Sequence, residues 1–145
     1  MSEFQCDGRR VAVIGGGPAG LMAAEVLAGG GAAVDVYDAM PSVGRKFLMA
    51  GKGGLNLTHA EPFDAFAVRY GSRRDWVEPW LAEFGAEALR DWARGLGVDT
   101  FVGTSGRVFP VAMKASPLLR AWVRRVGAEA RVGWCWTGCD GGDWG

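Results

Sequence analysis

The sequence has no net charge, no long apolar run and few residues that could bind a metal. Its 16 basic and 16 acidic residues cancel, so no electrostatic field favours binding to nucleic acid or to an anionic membrane surface. No stretch reaches the roughly 18 uninterrupted apolar residues that a membrane span requires. The apolar run that follows Arg10 soon ends at three glycines, which makes it too short for a secretory signal peptide. We expect a cytoplasmic protein.

The cysteines are too few to form a disulfide framework. Cys6, Cys135 and Cys139 are an odd number in a chain long enough to bury a core, which fits a reducing compartment better. Cys135 and Cys139 would supply only half of a metal site, and the chain has a single histidine, His59. We therefore expect no bound metal and interpret these two cysteines as small apolar residues near the end of a strand.

Glycine, in contrast, is abundant, with 24 of the 145 residues against a usual share of about 7%. The first cluster stands inside a pattern that predicts a βαβ unit with a right-handed crossover. Its parts follow in the order strand, glycine turn, helix, glycine stop and strand: Val11–Ile14, Gly15–Gly20, Leu21–Leu27, Gly29–Gly31 and Val34–Tyr37. The first strand, four β-branched or small apolar residues, suits a position buried on both faces of a sheet.

The motif Gly15-x-Gly17-x-x-Gly20 has the spacing of a dinucleotide-binding turn between strand and helix. Gly15 permits the turn, Gly17 lets the backbone approach a pyrophosphate, and Gly20 lets the helix pack closely on the sheet. The N–H groups at the helix start would then face the anion. Asp38 ends the next strand, where its carboxylate can bind a ribose and repel a 2′-phosphate. The alternative is a glycine-rich turn that merely packs tightly; a P-loop is excluded, because no Gly-Lys-Ser/Thr follows.

The segment after Asp38 favours FAD over NAD. A basic pair, Arg45-Lys46, and a second glycine loop stand where a plain NAD-binding domain would continue with another helix and strand. Glycines in this loop allow backbone to lie against a flat ligand, and Asn56 can hydrogen-bond a flavin edge. An exposed basic pair and an ordinary flexible loop are the alternatives. The predicted cofactor-binding residues are Gly15, Gly17, Pro18, Ala19, Gly20, Asp38, Ala39, Arg45, Lys46, Gly53, Gly54 and Asn56.

Three blocks of the sequence resemble the bacterial YhiN-like flavoproteins, which are bile-acid-reductase-type NAD(P)/FAD-dependent oxidoreductases: GGGPAGLMAAEVLA, VDVYDAMPSVGRKFLMAGKGGLNLTH and SGRVFPVAMKASPLL. The resemblance implies that the first glycine motif holds the FAD pyrophosphate and Asp38 the adenosine ribose. It also implies that Arg45-Lys46 and Gly53-Gly54-x-Asn56 line the rest of the cofactor. Many members read Gly-Gly-Gly-Arg-Cys-Asn at the second loop, whereas this chain has Gly54-Leu55 where they have Arg-Cys, which suggests a branch with altered chemistry.

The remaining pattern predicts one α/β domain over residues 1–145 with a Rossmann-like FAD-binding sheet of three parallel strands in the order 3-2-1. A helical turn is expected over 44–49. A helical and hairpin insertion is expected at about 60–112, with two helices separated at Gly85 and a hairpin of strands 100–102 and 107–109. A helix capped by Ser116 with Pro117 at its first position follows, then a last strand over 130–136 beside the second. Tryptophans at helical spacing are interpreted as core, and the chain as the truncated N-terminal part of a longer protein.

These features predict an FAD-dependent oxidoreductase that passes hydride from NAD(P)H through flavin to a small unsaturated or carbonyl substrate. No residue is assigned a catalytic role. His59 is either a proton donor or a capping residue, and neither Ser105 nor Lys114 has a partner that the sequence identifies. An NAD-binding dehydrogenase module and a non-catalytic nucleotide-binding fragment are the alternative functions. We expect residues 1–145 alone to bind FAD weakly.

Overall fold

The computed structural model describes residues 8–128 and 132–136. In this part of the chain, strands and helices follow one another along most of the sequence. The strands are β1 (Arg10–Ile14), β2 (Ala33–Asp38), β3 (Thr58–His59), β4 (Thr100–Val102), β5 (Arg107–Pro110) and β6 (Val132–Trp136). The helices are α1 (Pro18–Gly29), α2 (Arg45–Ala50), α3 (Phe63–Val68), α4 (Arg74–Glu83), α5 (Ala86–Gly95) and α6 (Ala115–Ala128), with a 3-10 turn at Gly71–Arg73.

The described residues cluster into two compact units. One unit contains residues 8–49 together with those from 119 onward, and the other contains residues 50–118. The first unit is built on a parallel sheet in which β2 lies between β1 and β6. Ile14 pairs with Tyr37, which in turn pairs with Cys135. This sheet confirms the predicted Rossmann-like α/β fold with three parallel strands in the order 3-2-1.

The two faces of the parallel sheet differ in burial. Val13, Val34 and Val36 are buried, and they share one face because strand residues alternate between faces. Ala12 and Ile14 point the other way and are exposed, Ile14 at 78%. The expectation that the first strand is buried on both faces is therefore not met in the described part of the chain, where only one face of β1 is covered.

Helix α1 packs through small residues and is tied to α6. Leu21, Ala24 and Ala28 form its buried stripe. Trp122 of α6, only 2% exposed, donates its indole N–H to Glu25 at 2.7 Å. Arg125 of α6 forms an ion pair with the same carboxylate at 2.6 Å. The two helices therefore share a partly buried polar contact, which fixes one against the other.

The unit of residues 50–118 contains a small antiparallel sheet in the order β3-β5-β4. The β4–β5 hairpin was predicted, whereas β3, which pairs Thr58 with Val108, was not. Gly85 caps the start of α5 and separates it from α4, as predicted. Within the described residues, no helix is long and apolar enough to cross a membrane.

Two expectations from the sequence are wrong in detail. Helix α6 begins at Ala115, so Ser116 lies inside its first turn instead of capping it. Trp76 and Trp80 of α4 are each 68% exposed and are not core residues. Helical spacing places both on one face of α4, but spacing alone does not show whether that face is covered.

Candidate functional site

A cavity of about 680 Å³ opens at the carboxyl ends of β1 and β2. It brings together nine of the predicted cofactor-binding residues: Gly15, Gly17, Pro18, Ala19, Gly20, Asp38, Ala39, Arg45 and Lys46. Its other lining residues, which the sequence analysis did not single out, are Ile14, Gly16, Tyr37, Met40, Ser42 and Gly44. Ligands of open parallel sheets bind at this edge, outside the carboxyl ends of the strands.

The glycine turn is anchored to the sheet and to its own helix. The N–H of Gly15 donates to the carbonyl of Tyr37 at 2.7 Å, which ties the turn to β2. A Cβ at position 20 would overlap the carbonyl oxygen of Gly15 and would lie 3.3 Å from Val13 Cγ1. Only glycine fits at position 20, because α1 begins directly against the turn and the end of β1.

The amino end of α1 faces the cavity without a protein cap. Gly17 is the capping residue and makes no side-chain hydrogen bond, and Pro18 has no N–H to offer. Within the described residues, no protein acceptor meets the N–H groups of Gly17, Ala19 and Gly20. No acidic side chain lies in the first turn. These donors and the positive end of the helix dipole are therefore available to an anion.

Asp38 shapes the turn as well as the cavity. One carboxylate oxygen accepts the N–H of Gly16 at 2.7 Å, and the other accepts the N–H of Met40 at 2.8 Å. A carboxylate oxygen can accept two hydrogen bonds, so this bracing role is compatible with a ribose contact. Asp38 thus joins the end of β2 to the middle of the glycine turn.

Gly16 is a site residue that sequence reasoning missed. A Cβ at this position would overlap Val43 and would lie 2.9 Å from a carboxylate oxygen of Asp38. Its carbonyl accepts the N–H of Gly44 at 2.7 Å. The sequence signal was the uninterrupted run of three glycines, of which the dinucleotide motif explains only two.

Arg45 and Lys46 are the first two residues of α2 and are exposed at the cavity. Arg45 follows Gly44 directly and Lys46 comes next, and Gly44 is hydrogen-bonded to the glycine turn. The cavity therefore has two positive side chains together with the negative Asp38, an arrangement that suits a ligand with both a diphosphate and a ribose.

The remaining predicted residues, Gly53, Gly54 and Asn56, belong to the unit of residues 50–118. Gly54 has a φ of +110°, and a Cβ there would lie 2.8 Å from Met113 Cε, whereas a Cβ at Gly53 would meet nothing within 4 Å. With its amide nitrogen facing the loop, Asn56 donates to the carbonyls of Thr58 at 2.8 Å and Val108 at 3.2 Å. Local packing therefore explains part of this loop, and its contact with a cofactor stays a prediction.

Leu55 and His59 have structural roles in the same unit. Leu55 is 4% exposed and belongs to the core. His59 faces the carbonyl of Ser105 at 2.9 Å through Nε2 and accepts the N–H of Glu61 at 3.2 Å through Nδ1. A Cβ at Gly106 would lie 2.5 Å from the His59 ring. Among the described residues, no group of three or more acidic, cysteine or histidine side chains is arranged to hold a metal ion.

Comparison with known proteins identifies the type of domain. The sequence model of the family described as HI0933-like protein Rossmann domain matches residues 9–133. Among solved structures, the chain is similar to Thermovibrio ammonificans THI4, with a TM-score of 0.44 and 17% sequence identity. The alignment covers 88% of this chain, which spans 37% of that protein's length. No curated protein matches the chain.

Proposed function

Because the chain belongs to the HI0933-like Rossmann-domain family, we propose that it binds FAD as the cofactor-binding part of a flavin-dependent oxidoreductase. The finer assignment, to the YhiN-like branch, rests on the sequence blocks quoted above. FAD, when bound, supplies hydride chemistry, with NAD(P)H as the donor and an unsaturated or carbonyl compound as the acceptor. The chain's own residues bind and orient the cofactor.

The uncapped amino end of α1 carries the proposal. The N–H groups of Gly17, Ala19 and Gly20 meet no protein acceptor in the described part of the chain, and a Cβ at Gly17 would point into open space. Unpaired donors at the positive end of a helix bind phosphate oxygens, and the absence of a side chain at Gly17 leaves room for them. The pyrophosphate of FAD fits this position.

Charged side chains around the cavity support the same ligand. Arg45 and Lys46 can neutralise a diphosphate, which carries two negative charges. Asp38 can accept hydrogen bonds from ribose hydroxyls and repels a phosphate on the 2′ position. An adenine nucleotide without a 2′-phosphate is therefore favoured over one that has it.

An NAD-binding module is the second candidate, because the first unit alone has the features that NAD requires. The loop of residues 51–56 favours FAD, since the resemblance assigns Gly53, Gly54 and Asn56 to the cofactor. The exposed, uncrowded Gly53 is the residue of this loop that leaves most room for a flat ring.

Titration of the purified chain with FAD, NAD⁺ and ADP tests the proposal. We expect the chain to quench flavin fluorescence with weak affinity, ADP to compete, and NAD⁺ to bind more weakly than FAD. Gly29→Ala should bind all three ligands as the parent does, because a Cβ at this exposed position meets nothing within 4 Å. Binding of NAD⁺ but not FAD would replace the proposal with the dehydrogenase module. Binding of neither FAD, NAD⁺ nor ADP would refute a nucleotide site.

A further inference from the structure

The two positive side chains at the cavity stand on a helix that has no buried residue of its own. Helix α2 is six residues long, too short to be stable without outside contacts. Phe47, on α2, contacts Trp122 of α6 edge to face, with ring centroids 6.1 Å apart and planes at 73°. The position of Arg45 and Lys46 therefore depends on α6, which begins more than sixty residues further along the sequence.

Gly44 is the residue at which α2 meets both α6 and the glycine turn. It is buried, and its φ of +71° is one that side-chain-bearing residues rarely adopt. A Cβ at this position would lie 2.5 Å and 2.6 Å from the two Cδ atoms of Leu119. Its N–H donates to the carbonyl of Gly16 at 2.7 Å, and its own carbonyl accepts the N–H of Leu48 at 3.0 Å.

The same helix, α6, also holds α1. Trp122 donates to Glu25 of α1 at 2.7 Å, and Arg125 pairs with that carboxylate at 2.6 Å. One helix thus contacts both elements that border the cavity: α1, with its free N–H groups, and α2, with its two cations. Contacts made on α6 therefore help to set the spacing between these two groups, together with the hydrogen bond from Gly44 to Gly16.

We propose that Gly44 and Leu119 are positioning residues of the diphosphate site. Their contact seats α2 on α6 and so fixes Arg45 and Lys46 relative to the amino end of α1. This inference rests on the proposed function for the identity of the ligand, a nucleoside diphosphate. Neither residue needs to touch the ligand, since each acts through the two cations. Attraction between a cation and a phosphate weakens with distance and with water between them, so a displaced α2 binds the diphosphate less tightly.

A double-mutant cycle measures this coupling. Gly44→Ala disrupts the contact between Gly44 and Leu119, and Arg45→Gln with Lys46→Gln removes the two charges. Gly29→Ala is the matched control. The probes are FAD and ADP, titrated against the full chain at a temperature where circular dichroism shows every variant folded. We expect Gly44→Ala and the charge-removing pair each to weaken binding by about tenfold or more, the scale of lost charge-assisted hydrogen bonds.

The combination decides between positioning and general destabilisation. If Gly44 acts through the cations, removing them in the Gly44→Ala background costs almost nothing more, because their contribution is already lost. Independent effects that multiply would overturn the inference. If Gly44→Ala does not fold, Leu119→Ala replaces it in the same cycle, since it removes the Cδ atoms on which Gly44 rests and leaves Gly44 in place.

A ligand-free measurement separates this inference from the proposed function. Trypsin cleaves after Arg45 and Lys46, and its rate there reports how firmly α2 is seated. We expect faster cleavage at these two residues in Gly44→Ala than in Gly29→Ala, without a matching rise elsewhere. If the parent chain binds neither FAD nor ADP, the proposed function fails, while the cleavage rate still tests whether Gly44 holds α2 on α6. Equal cleavage rates in the two variants would overturn the inference.

Discussion

A methyl group added at Gly17 would point into open space, whereas one added at Gly20 would overlap the carbonyl oxygen of Gly15. Gly17 has a φ of −80°, which alanine adopts without strain. We therefore expect Gly17→Ala to keep the melting temperature of the parent and to lose FAD binding. Gly20→Ala should destabilise the fold by about 1–3 kcal/mol, as overpacking does.

Thermal denaturation and flavin titration of the two variants check this contrast. Gly17→Ala serves as the control for the effect of a methyl group as such, since both changes add the same atom within one turn of backbone. A Gly17→Ala protein with the parent's affinity for FAD would contradict the placement of the pyrophosphate at the start of α1.

Asp38 braces the turn, and we propose that it also discriminates against a 2′-phosphate. In Asp38→Asn, an amide nitrogen replaces one carboxylate oxygen. The N–H of either Gly16 or Met40 then faces a donor and loses its hydrogen bond. This loss of one hydrogen bond to a charged group, worth about 1.5–3 kcal/mol, should loosen the turn that Asp38 braces. The ribose hydroxyls also lose a charged acceptor, so ADP-ribose binding should weaken. The loss of negative charge should weaken binding of the 2′-phosphorylated form less. Calorimetric affinities for the two ligands measure this ratio, and an unchanged ratio would contradict the role of the carboxylate charge.

At this scale the sequence identified the residues whose constraint is local. Gly15 is constrained by its φ of +102° and Gly20 by the carbonyl of Gly15, so the spacing of the turn predicted both, whereas at Gly17 no neighbouring atom of the described residues imposes such a constraint. Gly16 and Gly44 are constrained by Val43 and Leu119, and only the fold brings Leu119 to Gly44. No spacing rule within one motif reveals such a contact.

Among the elements, α4 offers a test of pH dependence. The guanidinium of Arg74 lies 2.6 Å from Glu78, and this hydrogen bond lowers the pKa of Glu78 from its ordinary value of 4.5. Because the pKa of Glu78 is lower in the folded state, the pair with Arg74 stabilises the fold when the pH is above the ordinary pKa of 4.5. The contribution is lost as pH falls through the folded-state pKa.

We expect Glu78→Gln to lower the melting temperature near neutral pH and to match the parent in acid, where Glu78 is protonated. The difference in melting temperature between parent and variant, followed from neutral to acidic pH, measures this. Glu83→Gln, at the end of the same helix, removes an equal charge and is the control. A difference that grew as pH fell would show the sign to be wrong.

Elements were predictable where periodicity was long enough to read. The βαβ unit, the break at Gly85 and the β4–β5 hairpin each have a run or a glycine signal, and each was found. Strand β3 has two residues, Thr58 and His59, and exists only because β5 offers an edge to pair with. The exposure of Trp76 and Trp80 was missed for a related reason, because a periodic apolar face does not show what covers it.

The net charge of the whole molecule is zero, but two positive side chains, Arg45 and Lys46, lie at the cavity. Long-range attraction of an anionic ligand should therefore be small, and the salt dependence of binding should come from Arg45 and Lys46 alone. We expect ADP affinity to fall with added salt in the parent and to respond much less in the variant with both residues changed to glutamine. Equal salt dependence in the two proteins would place the anion away from this pair.

Strand β2 is hydrogen-bonded on both sides, by β1 and by β6. Its amide protons should accordingly exchange with deuterium last in the first unit, since they are released only when that sheet opens as a whole. Asp38 stands at the end of this most protected segment. Whenever the first unit is folded at all, its acid is already in place, and the binding edge does not have to be organised by the cofactor.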